Sequence, residues 1–454
     1  MFKKMNILAV VLAVLAGGGL FGPSPLRAGD RRALSLDEAV ALGLETSPGL
    51  HASREKVESS AAKARELQAG RLPSLKFAGG YTRLSEVPPF QVSLPIFPSP
   101  IVVSQNYFNT YSLRLSLEQP LFTGFRLEAG TESARLLERS ADMDLERDRA
   151  DFIFAVKSAY WALARAREYE KAVAQNIDDV AAQLKDVRAF FDQGLLTKNE
   201  VLRAELQLSN TELMAIDARN AVEVARTALN TLIGLPLETD VDLTTTAESL
   251  AGSLPAEEAA GGPTASSMIQ TALSGRPDLR SADFRIRASE AGVKAAKAGW
   301  YPQIFLSGDY YYLRPNPRIM PAQDVFTGTW DLGLSISFDI WNWGQTKSQT
   351  VQAEAQLAQA KDERRLLADQ AVLEVTQSRL AVSQARQKID VAGQAVAQAE
   401  ENLRVTRETF RQGMALNRDV LDADTALLQA RIERIQAAID LVLAQAGLEK
   451  ALGR

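Results

Sequence analysis

The stretch Phe190-Phe191-Asp192-Gln193-Gly194-Leu195-Leu196-Thr197-Lys198-Asn199-Glu200-Val201-Leu202 decides the fold, because the chain makes it twice. Its echo is Phe410-Arg411-Gln412-Gly413-Met414-Ala415-Leu416-Asn417-Arg418-Asp419-Val420-Leu421-Asp422, with the two glycines 219 residues apart. Each stretch reads as the end of one helix, a turn and the start of another. Gly194 and Gly413 are free to take the left-handed conformation that stops a helix. Thr197 and Glu200 have the spacing of a capping box that opens the next one. The same turn made twice marks an internal duplication, with tips at 190–200 and 410–422.

Outward from the turns the chain is helical for a long way. Residues 126–192 contain no proline, and Gly130 is their only glycine. A helix of that length spans on the order of 100 Å. The return helix runs to about Ile233 and is closed by Gly234 and Pro236. The second copy gives a helix over 346–412, the turn, and a helix to the C-terminus, with no proline after Pro321. Alanine and glutamine dominate it, and small residues let helices pack closely as in a coiled coil.

Further out the period changes from helical to two. Leu75, Phe77, Gly79 and Tyr81 alternate with Lys76, Ala78, Gly80 and Thr82; Tyr111, Leu113, Leu115 and Leu117 alternate with Ser112, Arg114, Ser116 and Glu118. The second copy repeats this with Ile304, Leu306, Gly308 and Tyr310, then with Trp330, Leu332, Leu334, Ile336, Phe338 and Ile340. The expected strands are about 75–83, 111–120, 303–313 and 329–340. Such alternation suits either a tilted strand of an outer-membrane barrel, lipid on one face and water on the other, or a soluble sandwich strand with one buried face. Tyr and Trp near the strand ends fit the interfacial anchors of the membrane reading. The loops between paired strands, 86–110 and 314–328, are proline-rich, and the second is shorter by ten residues, as an exposed loop tolerates.

Ahead of each strand pair lies a shorter helical segment. Ser35 and Glu38 form a capping box, and Pro48 opens a helix to about Ala69. Ser47-Pro48-Gly49-Leu50 corresponds to Arg276-Pro277-Asp278-Leu279, and Pro73 to Pro302. The resulting division is a signal peptide over 1–28, repeat one over 29–236, a linker over 237–263 and repeat two over 264–454. Residues 1–28 join Lys3 and Lys4 to an apolar run and a small residue at Ala28.

Composition removes several chemistries. The chain has 454 residues, no cysteine and one histidine. Disulfides, thiolate catalysis and cysteine zinc sites are excluded. His51 reads as a helix-surface residue. The net charge of −5 becomes more negative still if Lys3, Lys4 and Arg27 leave with the signal. An acidic chain is unsuited to nucleic acid. No phosphate loop, metal-ligand spacing or catalytic cluster is present, so neither an enzyme nor a cofactor is expected.

The order of elements resembles the TolC family of outer-membrane efflux and secretion ducts over essentially the whole chain. The junctions Pro120-Leu121-Phe122-Thr123-Gly124-Phe125-Arg126 and Asp339-Ile340-Trp341-Asn342-Trp343-Gly344-Gln345 look like that family's Pro-Leu-Phe-Asp-Gly-Gly-Arg, with Phe125 where a glycine is usual. The tip turns and Asp419-Val420-Leu421-Asp422-Ala423 are similar to its adaptor-facing and aperture segments. The resemblance implies a mainly α protein with a small transmembrane β part. In it, duplicated helical hairpins form a periplasmic α-barrel continuous with a twelve-stranded trimeric β-barrel, four strands per chain. It implies a homotrimer in outer-membrane lipid, working as a passive exit duct with a periplasmic adaptor (membrane fusion protein) and an inner-membrane RND or ABC pump. The alternative is a periplasmic coiled-coil adaptor or rod that never enters lipid.

Asp419 and Asp422 are three residues apart at a helix start and so share a face. In a trimer they form rings of carboxylates at the entrance, which attract cations and repel anions. The other reading is that they stabilise the helix N-terminus. Glu200 is the repeat-one counterpart of Asp419, and a bond from Arg418 to Glu200 is the expected substitute for polar tip links, since Phe410 and Ala415 stand where this family has a Tyr and an Arg. The tip residues Gly194, Leu195, Leu196, Thr197, Gly413, Met414, Ala415 and Leu416 are candidates for docking an adaptor or for packing between subunits.

Overall fold

The structure, a computed structural model, describes residues 32–93, 95, 96, 98, 100–104, 106–247 and 264–454. The expected signal peptide and most of the 237–263 linker lie outside the described residues. Helix α1 is Leu36–Thr46 and α2 is Pro48–Ala69. The duplication is visible in the lengths that follow. Helices α3 (Arg126–Asp192) and α7 (Gln345–Arg411) both have 67 residues. Their return helices are α4 (Lys198–Ile233) and α8 (Asn417–Ala451). Helices α5 (Ala265–Gly275) and α6 (Pro277–Ala296) are the second copies of α1 and α2.

Strand β1 (Arg32–Leu34) pairs in parallel with β6 (Val241–Leu243), so the start of the linker is tied to the start of the described chain. Between them, β2 is Ser74–Arg83 and β5 is Asn109–Phe122. The loop joining them carries a small hairpin of β3 (Phe90–Val92) and β4 (Ile101–Ser104). Strands β7 (Gln303–Arg314) and β8 (Thr327–Ser337) complete one antiparallel sheet of order β2-β5-β7-β8, in which the β5–β7 pair joins the two repeats.

The register places one chemistry on each face of this sheet. Leu115 is paired with Phe77 and Tyr310, Leu117 with Leu75 and Gly308, and Leu306 with Leu334. Their side chains form an exposed apolar face; Phe77 is 70% exposed and Leu332 67%. The opposite face holds Lys76, Ser112, Arg114, Ser116, Glu118, Ser307, Asp309, Tyr311 and Asp331. Strand β8 stops at Ser337 and does not reach Ile340 as the alternation suggests. The residues beyond it form the approach to α7, where the Gln345 N–H donates to the Asn342 carbonyl and Asn342 Nδ2 donates to Thr346 Oγ1 at 2.7 Å.

Each passage from strand to long helix needs two successive left-handed residues. These are Gly124 (φ 63) and Phe125 (φ 68) in repeat one, and Trp343 (φ 52) and Gly344 (φ 80) in repeat two. Each copy has one glycine and one aromatic, in opposite order. The departure of Phe125 from the usual glycine is thus a strained position kept in shape by its neighbours. The Phe125 ring meets Phe122 and Tyr301 edge-on at 5.3 and 5.7 Å.

The main core lies midway along the helices. Leu34, Tyr160, Trp161, Leu163, Leu229, Ile233 and Val241 are fully buried there. Tyr160 Oη donates to the Leu34 carbonyl at 3.1 Å and accepts from the Thr245 N–H at 3.0 Å, which fastens the β1–β6 ribbon to α3. Among the described residues, no helix is long and apolar enough to cross a membrane.

Candidate functional site: the paired helical tips

The ends of α3 and α7 terminate in the same way. The N–H of Leu195 donates to the Phe190 carbonyl and that of Gly194 to Phe191; Met414 and Gly413 do likewise to Thr409 and Phe410. These are Schellman stops, and both glycines sit at φ 75. Beneath the turns a small core joins the two hairpins. Leu184, Val187, Ala204, Leu403, Phe410, Val420 and Leu427 are buried in it, and Phe410 meets Phe190 edge-on at 5.5 Å. Phe410 is therefore a packing residue. Leu196 and Ala415 pack against the same core, while Leu195, Met414 and Leu416 are each more than 60% exposed. Gly194, Thr197 and Gly413 are also exposed.

Thr197 does not cap α4 through its side chain. The Glu200 N–H donates to the Thr197 carbonyl at 3.0 Å, and no side-chain cap bond forms. The Glu200 carboxylate, which would supply the other half of the box, is engaged elsewhere, with Arg203 Nη1 and Asn417 Nδ2 each at 3.4 Å. Within the single chain Arg418 makes no bond to Glu200. Arg418, 63% exposed, lies 3.6 Å from the neighbouring Asp419 instead.

Asn417 makes the link that Arg418 was expected to make. It is 1% exposed; its Oδ1 accepts from Gln183 Nε2 of α3 at 3.1 Å and its Nδ2 donates to Glu200 of α4. The start of α8 is thus stitched to both helices of the first hairpin. Asp419 accepts the Leu416 N–H at 3.1 Å, one half of a capping box, since Leu416 has no side-chain oxygen to return the bond. Asp422 is exposed on the next turn.

About one turn deeper is a charged group that the sequence reading did not single out. Asp424, 3% exposed, accepts from Asn176 Nδ2 at 2.5 Å and from Arg407 Nη2 at 3.3 Å. Arg407 also pairs with Asp179 at 3.4 Å. Burial pushes the Asp424 carboxyl above the usual carboxylate range, against the bonds from Asn176 and Arg407. A sequence signal existed: Asp424 shares a helical face with Val420, Ala423, Leu427 and Leu428, all buried. A carboxylate on such a face needs partners. His51, by contrast, is an exposed residue of α2, 3.8 Å from Glu55.

The chain that forms these two long helical hairpins and one four-stranded sheet matches the model of the outer membrane efflux protein family over residues 40–235 and 268–454. The chain belongs to the outer membrane efflux protein family. It is accordingly an outer-membrane efflux duct with a TolC-like fold, and not an enzyme. The outer membrane efflux protein BepC of Brucella suis is 26% identical over 352 residues, 77% of this chain and 73% of that protein. The fusaric acid resistance protein FusA of Burkholderia cepacia is 26% identical over 329 residues, 70% of this chain and 58% of that protein. Among solved structures, the Campylobacter jejuni CmeC outer membrane channel aligns with a TM-score of 0.78 at 17% identity, covering 92% of this chain and 85% of that one. The open state of the Neisseria gonorrhoeae MtrE channel aligns at 0.75 with 20% identity, covering 92% and 88%.

Proposed function

We propose that three copies of this chain close into one barrel and form a passive exit duct, docked at its helical tips to a periplasmic adaptor and through it to an inner-membrane RND or ABC pump. The observation that carries this reading is the sheet. Its apolar face is exposed along all four strands, and the outer edges of β2 and β8 pair with no strand among the described residues. In lipid an open edge leaves backbone groups unsatisfied, so β2 of one copy must meet β8 of the next. Any number of four-stranded copies gives an even-numbered antiparallel barrel, as outer-membrane barrels require, and the number three is what the family resemblance implies. A periplasmic rod would leave the same apolar face in water, at a cost of roughly 25 cal/mol for each Å².

The long helices, each on the order of 100 Å, then continue the lumen toward the inner membrane. At the far end Asp419 and Asp422, repeated three times, crowd negative charge at the entrance, with Glu200 beside them. Such rings concentrate cations and slow anions without consuming energy, so directional transport comes from the pump. The exposed apolar trio Leu195, Met414 and Leu416 supplies an adaptor with a desolvated contact at the rim of that entrance. The polar link that resists opening is assigned to Asn417 and not to Arg418.

The test is single-channel conductance of the mature protein in a planar bilayer, beside Asp419→Ala/Asp422→Ala. A small cation-favouring conductance that grows and loses selectivity in the double variant supports a duct gated by carboxylates. Equal conductance in both moves the constriction elsewhere. A protein that extracts without detergent and never conducts removes the duct reading.

A further inference from the structure

The loop between β7 and β8, residues 315–326, does not stand away from the sheet. It straddles the sheet end farthest from the helices. Its returning limb lies on the apolar face: the Phe326 ring stacks on Tyr312 at 5.1 Å, and Arg314 forms a two-bond pair with Asp324 at 2.9 Å. Its first limb lies on the opposite, polar face. Asn316 is 1% exposed, and its Nδ2 donates to Thr329 Oγ1 and to the Thr327 carbonyl, both at 3.3 Å, while its Oδ1 accepts the Arg318 N–H at 3.0 Å. The Arg318 guanidinium then reaches along that face, donating to the Trp330 carbonyl at 3.1 Å and to Asp331 at 2.8 Å. Tyr107 of the other loop ties the crest by donating to the Ala322 carbonyl at 2.9 Å.

Below Arg318 the polar face continues the same arrangement. The Tyr311 ring has the Arg318 guanidinium at 5.9 Å and the Arg114 guanidinium at 5.2 Å. Arg114 forms a two-bond pair with Asp309 at 2.8 Å, and Asp309 is the cross-strand partner of Asp331. The result is a stack of alternating cations, ring and carboxylates on the face that points away from lipid.

We propose that residues 315–320 fold into the barrel mouth as a second constriction, latched by Arg318 and lined by the Arg114–Tyr311–Arg318 stack. This rests on the duct reading above. Strand number sets how much it matters. Eight-stranded barrels are filled by their own side chains, and sixteen-stranded ones leave a channel. A barrel of twelve strands lies between them, so three inward limbs, each with a bulky stack beneath, take up a large share of its opening. The limiting width at the outer end is therefore set by this loop and is independent of the tip carboxylates. Bulky solutes are kept from entering from outside, and large cargo leaves only when the Arg318 latch opens.

The chain has no cysteine, so one can be placed as a reporter. Ser335 lies on the polar face of β8, four residues further in than Asp331, roughly 13 Å deeper at strand rise. In intact cells carrying Ser335→Cys, a small charged maleimide added outside should react, and a maleimide on a multi-kilodalton polyethylene glycol should not. Adding Arg318→Ala should raise the rate with the bulky reagent roughly tenfold, the population shift that about 1.4 kcal/mol of lost attachment produces. Asp331→Asn should do the same, and the rate with the small reagent should stay unchanged, which shows that the variants are folded. Bulky labelling already complete without Arg318→Ala, or bulky labelling unchanged by both substitutions, overturns the constriction while leaving the duct. Failure of the small reagent as well overturns the barrel reading beneath it.

Discussion

Asp419 accepts the backbone N–H of Leu416 at 3.1 Å and so has a structural duty that Asp422, exposed one turn on, does not share. Asp419→Ala removes both a charge from the entrance and half of a capping arrangement, worth about 1 kcal/mol of local helix stability. Asp422→Ala removes only the charge. Both variants should lower the preference for cations, read as a reversal potential across a salt gradient. Only Asp419→Ala should also speed amide exchange in the first turn of α8. Equal exchange in the two variants would mean that the Leu416 contact contributes nothing.

Asn417 is the next position to test, because it is buried and has partners on both α3 and α4. Asn417→Ala leaves Gln183 without its acceptor inside the tip core, at a cost of about 1–3 kcal/mol. With the hairpins no longer stitched together, open-channel conductance or open time should rise. Arg418→Ala should change little, since an exposed pair such as Arg418 with Asp419 contributes about 0–1 kcal/mol. The reverse order of effects would return the latch to Arg418.

These two residues mark where sequence ceases to be sufficient. The duplicated turns, the 67-residue helices and the period-two strands are local patterns, and each repeat confirms the other at a fixed offset. The capping box at Ser35 is equally local and is formed as expected. Which residues meet at the tips depends on how the second hairpin rotates against the first. Asn417 and Arg418 are neighbours, about 100° apart around the helix, and nothing local tells which one faces α3. Within the chain the contact to Glu200 is made by Asn417 for that reason. The capping box expected of Thr197 and Glu200 is open for a related reason on its Glu200 side, since that carboxylate has a partner in the other repeat.

Glycine at the turns separates conformational strain from crowding. Gly413 has φ 75 with nothing within 4 Å of an added Cβ, whereas Gly124 has φ 63 and its Cβ would lie 2.5 Å from the Ala298 carbonyl oxygen. Gly413→Ala should cost only the left-handed penalty of about 1–2 kcal/mol and still give assembled protein. Gly124→Ala adds a backbone clash at the point where β5 turns into α3. It should sharply reduce the amount of protein recovered from the outer membrane with detergent. Similar recovery of the two would show that the junction yields more easily than its packing implies.

Asp424 gives the pH dependence. Burial raises its carboxyl above the unfolded value near 3.8, and Asp179 pushes the same way, while Asn176 and Arg407 oppose. The folded state therefore binds the proton more tightly than the unfolded one. The ionised group disfavours folding at neutral pH, and that penalty is relieved as pH falls through the folded pKa toward 3.8. Asp424→Asn removes the charge and keeps an oxygen for Asn176. It does not strand a buried cation, because Arg407 is 27% exposed and retains Asp179. The variant should thus melt a few degrees above the native protein at pH 7, with the gain shrinking as both approach pH 4. A variant that is less stable at pH 7 and matches the native protein at pH 4 would reverse the sign. The attraction between Asp424 and Arg407 would then outweigh the cost of burying the carboxylate, and the cluster would be a clamp between α7 and α8.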